Sequence, residues 1–321
     1  MRDTRSDLHQ TITDKIVAML ETAQASGASF PWCRPGVTLS RPTNALTKKR
    51  YNGINILTLY CDGYSNNFRS GIWATYKQWL ELGAQVRKGE KASPIVFYKS
   101  LEVENKDAKP ETEDEATRTI RMAKGYYAFN ADQVDNFTRP EMPTVDLTTR
   151  LEHVEQFIAD CKVPVTYGGS SAYYRPSEDR IQMPDRALFE NSPTSTATEG
   201  LYGVLLHELG HASGASTRLN RDFSSKFGDG KWAIEELVAE LCSAMLCGDL
   251  AITPQPRMDH AHYIASWLKV LKGDKAAIFT AAAKASQAAE FWHAKQPDTS
   301  SSASRQHYID TGRYLSKTET E

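Results

Sequence analysis

Leu8, Ile12, Ile16, Met19 and Leu20 recur at intervals of three and four, so the first stretch of the chain predicts an amphipathic helix over 7–25. A second helix is predicted over 52–60 and a third over 75–82, the latter stopped by Gly83. The runs 94–101 and 119–130 read as strands of one hairpin. Between them, 102–115 holds Asp107, Glu111, Glu113 and Asp114 with almost no large apolar residue, and reads as a solvated loop. Pro140 and Pro143, set among Thr and Asp, mark 136–150 as a linker. Beyond it come a helix over 151–161, short strands over 163–167, 172–175 and 179–183, helices over 199–213 and 231–246, and an Ala-rich helical pair within 259–295. The pattern is α+β, in two domains over 1–135 and 151–295, followed by a flexible Ser-, Thr- and charge-rich tail over 296–321.

A length of 321 residues agrees with two domains of about 150 each. A hydrophobic content of 40% and a charged content of 24% are those of a globular chain, and no apolar run approaches the ~20 residues of a membrane span. The N-terminus Met1-Arg2-Asp3-Thr4-Arg5 lacks the apolar core of a secretory signal, which places the chain in the cytoplasm. Five cysteines without a C-x-x-C pair fit reduced thiols better than a disulfide framework.

Chemistry is concentrated in Leu201–His211, where an apolar helical flank carries His207, Glu208 and His211. Residues four apart share a helix face, so His207 and His211 can present imidazoles to one divalent ion, zinc by preference, one per chain. Glu208 is turned toward the space where an attacking water would stand, and a carboxylate there can act as general base. Gly210 in mid-helix costs about 1 kcal/mol relative to Ala, which suggests a close neighbour. A catalytic zinc needs a third protein ligand. The extended metzincin spacing would put a His at Thr217, so that class is disfavoured. The next helix offers Glu235, Glu236 and Glu240 in a run of Leu, Val and Ala, and carboxylates there are costly to bury unless paired or bound to metal. Glu236 is assigned as the third ligand and Glu240 as the group holding a His ring from behind, with the reverse assignment open. Glu235 is expected to stay solvated near the positive end of its helix.

The net charge of −2 hides an asymmetry: 30–100 holds eleven basic residues against Asp62, Glu81 and Glu90. Aromatics are interleaved with these cations, a composition suited to single-stranded DNA, whose phosphates meet cations while its bases stack on rings. Trp32, Arg50, Tyr51, Asn52, Trp73, Lys77, Arg87, Lys88 and Lys91 are the candidates for this contact. The plainer reading makes most of the rings core and the charges surface.

Arg50-Tyr51-Asn52-Gly53-Ile54-Asn55, Trp73-Ala74-Thr75-Tyr76-Lys77-Gln78, Gly89-Glu90-Lys91 and Ala128 through Val134 resemble the N-terminal domain of ArdC-type antirestriction proteins, which some plasmid primases share. Asp179 through Pro184, the His207 helix, Ser216 through Arg221 and Glu235 through Leu241 resemble the zincin-like metallopeptidase domain of that family. One departure is Ala212-Ser213 after His211, where Trp and Thr are expected. The resemblance implies a protein of a plasmid or mobile element that binds single-stranded DNA and protects incoming DNA from host restriction. A host restriction protein or another DNA-associated protein would be its second partner. The competing reading is a non-catalytic DNA-binding protein that occludes enzymes and keeps a structural or vestigial metal site. Glu208 favours catalysis, because a purely structural site needs no general base. A metal-dependent nuclease is weaker still, since such sites cluster Asp and Glu around two ions.

Overall fold

The computed structural model describes residues 8–26, 41–104, 117–139, 147–191, 195–223, 230–252 and 260–297. Helix α1 (Leu8–Ser26) buries Ile12, Ile16 and Leu20 along one stripe, the face the four-residue spacing requires. Helix α2 (Ile54–Ser65) follows Gly53, whose φ of 56° favours glycine, and buries every residue from Ile54 to Asp62.

Four strands form the principal sheet in the order β1 (Thr43–Asn44), β2 (Ile72–Thr75), β5 (Thr117–Asn130) and β4 (Ser93–Glu104). β1 runs parallel to β2, while β2–β5 and β5–β4 are antiparallel. The hairpin register pairs Ser93 with Ala128 and Glu104 with Thr117, so the predicted hairpin exists and is longer than its apolar runs. On the outer edge of β4, the Asn55 side chain accepts from the Val96 N–H at 2.7 Å and donates to the Val96 carbonyl at 2.8 Å, satisfying strand groups that lack a neighbouring strand. Helix α3 (Tyr76–Glu81) starts at a capping box between Thr75 and Gln78. Beside it, β3 (Gln85–Val86) pairs with β6 (Val134–Asp135) over a small core around the fully buried Trp79.

In the second half, α4 (Leu147–Asp160) begins inside the expected linker. A three-stranded sheet follows in the order β7 (Val165–Tyr167), β9 (Arg180–Met183), β8 (Tyr173–Arg175). Helices α5 (Ala197–Ala212), α6 (Gly230–Asp249), α7 (His260–Gly273) and α8 (Ala277–His293) complete the fold. The crossing of α5 and α6 is unusually close at Gly210, where an added Cβ would stand 2.8 Å from the Ala239 Cα. That is the close neighbour the mid-helix glycine implied.

The two halves share one hydrophobic cluster, in which Ile12, Leu57 and Trp73 join Leu209, Met245 and Trp292. Polar contacts cross the same boundary: the Gly53 N–H donates to Ser286 Oγ at 2.8 Å, and Asp249 meets both Arg41 and Arg50. Of the cysteines, Cys33 lies outside the described residues; Cys61, Cys161, Cys242 and Cys247 are buried and unpaired. Burial pushes the thiols of Cys61, Cys242 and Cys247 up to about 12, where they are inert. No helix among the described residues is long and apolar enough to cross a membrane.

Candidate metal centre and nucleic-acid face

Thr196 caps α5 through a capping box with Glu199, and the helix then delivers His207 and His211 to one face, their ring centroids 4.9 Å apart. Because Gly210 lets α6 approach, Glu236 reaches both imidazoles. Its Oε2 lies 3.6 Å from His207 Nε2 and its Oε1 lies 3.5 Å from His211 Nε2. Neighbouring ligand atoms around a tetrahedral ion bound at about 2.1 Å stand about 3.4 Å apart, so these three side chains fit a zinc-sized ion. They are the group of His, Cys, Asp and Glu among the described residues whose donor atoms converge within 4.8 Å.

The remaining ring nitrogens face carboxylates. His207 Nδ1 lies 3.4 Å from Glu240 and His211 Nδ1 lies 3.3 Å from Glu235. A hydrogen-bonded partner in this position fixes ring orientation and tautomer and raises basicity, and of the two contacts the His211–Glu235 one has hydrogen-bond geometry while His207 and Glu240 stand at ion-pair distance. The position of Glu235 corrects the expectation that it is solvated: its side chain is 12% exposed and is gripped by Arg221, which donates from Nε at 2.9 Å and Nη2 at 2.7 Å. Arg221 also donates to the Gly210 carbonyl at 2.6 Å and to Ser213 Oγ at 2.7 Å, satisfying acceptors at the end of α5. A Cβ on Gly214 would stand 2.9 Å from the Arg221 guanidinium, so this glycine serves close approach rather than a left-handed turn. Arg221 ends the Ser216–Arg221 segment, and no local pattern in the sequence connects it with Glu235.

Glu208 is buried and lines the same cleft of about 270 Å³ as His207, His211 and Glu236, with Tyr173, Phe223, Trp232 and Tyr263 forming apolar walls. Burial alone would lower the His211 pKa, but the carboxylates of Glu235 and Glu236 outweigh it and push it up to about 10. Burial likewise opposes ionisation of Glu236, and its contacts with His207 and His211 more than reverse this, holding it well below the usual carboxylate range. The cluster therefore holds concentrated negative charge suited to a divalent cation.

The candidates for the nucleic-acid face are dispersed. Trp32 lies outside the described residues. Trp73 and Tyr51, expected as stacking rings, are 2% and 5% exposed, which corrects that expectation: Trp73 sits on β2 between β1 and β5, and the Tyr51 hydroxyl accepts from Asn44. Arg50 is committed to Asp249 at 3.1 Å, and Arg87 pairs with Glu90 while donating to the Asp132 carbonyl. Asn52, Lys77, Lys88 and Lys91 are exposed. The rings open to solvent in this half are others, chiefly Phe97, Tyr98, Tyr126 and Tyr127 at the base of the β4–β5 hairpin.

Comparison with known proteins gives a consistent picture. Residues 6–129 match the model of the N-terminal domain of anti-restriction factor ArdC, and residues 152–284 match a zincin-like metallopeptidase model. The protein y4eC of Sinorhizobium fredii is 45% identical over 296 residues, spanning 92% of this chain and 94% of its own. The DNA primase TraC of Escherichia coli is 34% identical over 305 residues, which are 91% of this chain but 27% of the primase. The metal-free crystal structure of the antirestriction protein ArdC from plasmid R388 superposes with a TM-score of 0.72 at 34% identity, covering 90% of this chain and 98% of that one. Its Mn(II)-bound structure gives 0.68 at 33% identity, covering 91% and 99%.

Proposed function

The chain belongs to the ArdC antirestriction family, and on that premise we propose that it binds single-stranded DNA and protects incoming plasmid DNA from host restriction by means of a zinc peptidase centre. The observation that carries the peptidase reading is the convergence of both Nε2 atoms on Glu236 while each Nδ1 is backed by its own carboxylate.

In this reading His207, His211 and Glu236 hold one zinc per chain, and Glu240 and Glu235 orient the two rings. A bound ion of this kind supplies Lewis-acid polarisation of a scissile carbonyl and acidifies the attacking water. Glu208 accepts the proton from that water and returns it to the leaving amine. The aromatic walls of the cleft limit water and seat an extended chain. The substrate would be a host protein met on the DNA, in the cytoplasm.

The test is a comparison of wild type with Glu208→Gln for plasmid protection in a restricting host, with zinc content measured alongside. The variant should keep its zinc, because Glu208 is not among the ligands, and lose protection by a factor of about 100 or more, the size of a lost general base. Full protection by a zinc-loaded Glu208→Gln protein would show that protection comes from occupying DNA, without proteolysis.

A further inference from the structure

Between the two halves runs a groove of about 1060 Å³ to which both contribute. Lys49 and Asn52 stand on one side, with Phe97 and Tyr98 on the edge strand β4. The other side is α8, which presents Thr280, Ala283 and Gln287, spaced three and four apart on one helix face. Glu290 also lines the groove, and its charge is answered by Arg41 at 3.0 Å.

Two features separate this groove from an ordinary crevice. Phe97 and Tyr98 are 49% and 52% exposed, although large rings are normally drawn into a core. Cations accompany them: Lys49 is exposed and lines the same groove, and Lys124, paired in register with Phe97, lies 5.2 Å over the Tyr126 ring, which itself meets Phe97 edge-on at 5.4 Å. Open rings flanked by cations are what unstacked bases joined by phosphates require, whereas a duplex keeps its base faces inside its own stack. Apart from Glu290, whose charge Arg41 answers, the α8 wall is of uncharged side chains, which leave room for a base without repelling the backbone.

We propose that single-stranded DNA passes through this groove, with bases against Phe97 and Tyr98, phosphates near Lys49 and Lys124, and α8 of the metal-carrying half as the far wall. The proposal rests on the single-strand reading above and adds the path, which neither half provides alone. The competing path is the face around Lys77 and Lys88, beside a hollow of about 570 Å³ lined by Tyr76 and Phe129.

The experiment is fluorescence anisotropy of a labelled oligo-dT with the full chain, at several salt concentrations. Phe97→Ala should weaken binding about 5-fold or more, the effect of removing one stacking ring. Lys49→Ala should reduce the slope of log K against log salt by about 0.7, one phosphate contact. Gln287→Glu should weaken binding and Gln287→Lys should tighten it, a gain that misfolding cannot imitate. If wild type binds and these four variants bind like it, the groove is not the path. A loss confined to Lys77→Ala and Lys88→Ala would move the strand to the other face and likewise overturn the proposal. Tighter binding of an oligo-U of equal length would overturn the choice of DNA. A wild type that binds no single strand at low salt would instead remove the single-strand reading itself.

Discussion

His211 stands between two carboxylates, with Glu235 3.3 Å from its Nδ1 and Glu236 3.5 Å from its Nε2. Helical periodicity alone puts His207 and His211 on one face with Glu208 beside them, and an apolar run makes Glu236 and Glu240 costly to bury without a partner. Glu235 departs from the solvated position its sequence context predicts because its partner Arg221 returns from a turn, where no periodicity fixes direction. That Arg–Glu pair gives a sharp expectation. Arg221→Ala frees Glu235 from its two-point grip and leaves carbonyls at the end of α5 without this donor. Zinc affinity, measured by competition with a chromogenic chelator, should then fall by up to about 10-fold, at or below the low end of what removal of a group in direct contact with a ligand produces, because Arg221 acts on His211 through Glu235. Arg221→Lys should recover only part of this, since an ammonium cannot reproduce the planar fork. An affinity equal to wild type in Arg221→Ala would mean that Glu235 orients His211 without help.

At the scale of elements, long helices and the hairpin were readable because their apolar periods run over many residues. The two-residue strands β1, β3 and β6 offer no period at all, and β2 reads as an aromatic segment rather than a central strand. This is why Trp73 looked available for stacking and is in fact core. The glycine in α5 was interpretable, and its consequence is measurable. Gly210→Ala must push α5 from α6, because the new Cβ meets backbone atoms of Ala239 at 2.8 and 3.0 Å rather than a flexible side-chain end. Thermal unfolding should show a loss of about 1–3 kcal/mol, the usual result of overpacking, despite alanine's better helix propensity. Because Glu236 rides on α6, the same variant should bind zinc more weakly. A melting temperature at or above that of wild type would refute the close crossing.

At the scale of the whole molecule, the sequence suggested two domains joined by a Pro-containing linker, and could not reveal that α1, α2 and β2 share a core with α5, α6 and α8. Long-range packing of this kind leaves no local pattern. Asp249 at the end of α6 ties the halves together through Arg41 and Arg50, and within its own half it accepts from His293 Nε2 at 2.8 Å. Burial, aided by the two arginines, lowers the His293 pKa from its ordinary 6.5 despite the opposing pull of Asp249, so the folded protein keeps this ring neutral. The unfolded chain takes up its proton first as pH falls, so the contribution to stability is intact above about 6.5 and shrinks below it. Unfolding midpoints in urea between pH 7.5 and 5 should therefore decline, and His293→Gln, which retains an N–H donor, should flatten the decline; equal slopes would contradict a neutral buried ring. The central claim, one divalent ion held by His207, His211 and Glu236, is tested most directly by zinc per chain after loading and dialysis, in wild type, Glu236→Ala and Glu240→Ala. About one ion in wild type, almost none in Glu236→Ala and a retained but weaker site in Glu240→Ala is the predicted result. Full zinc in Glu236→Ala, or none in wild type, would contradict it.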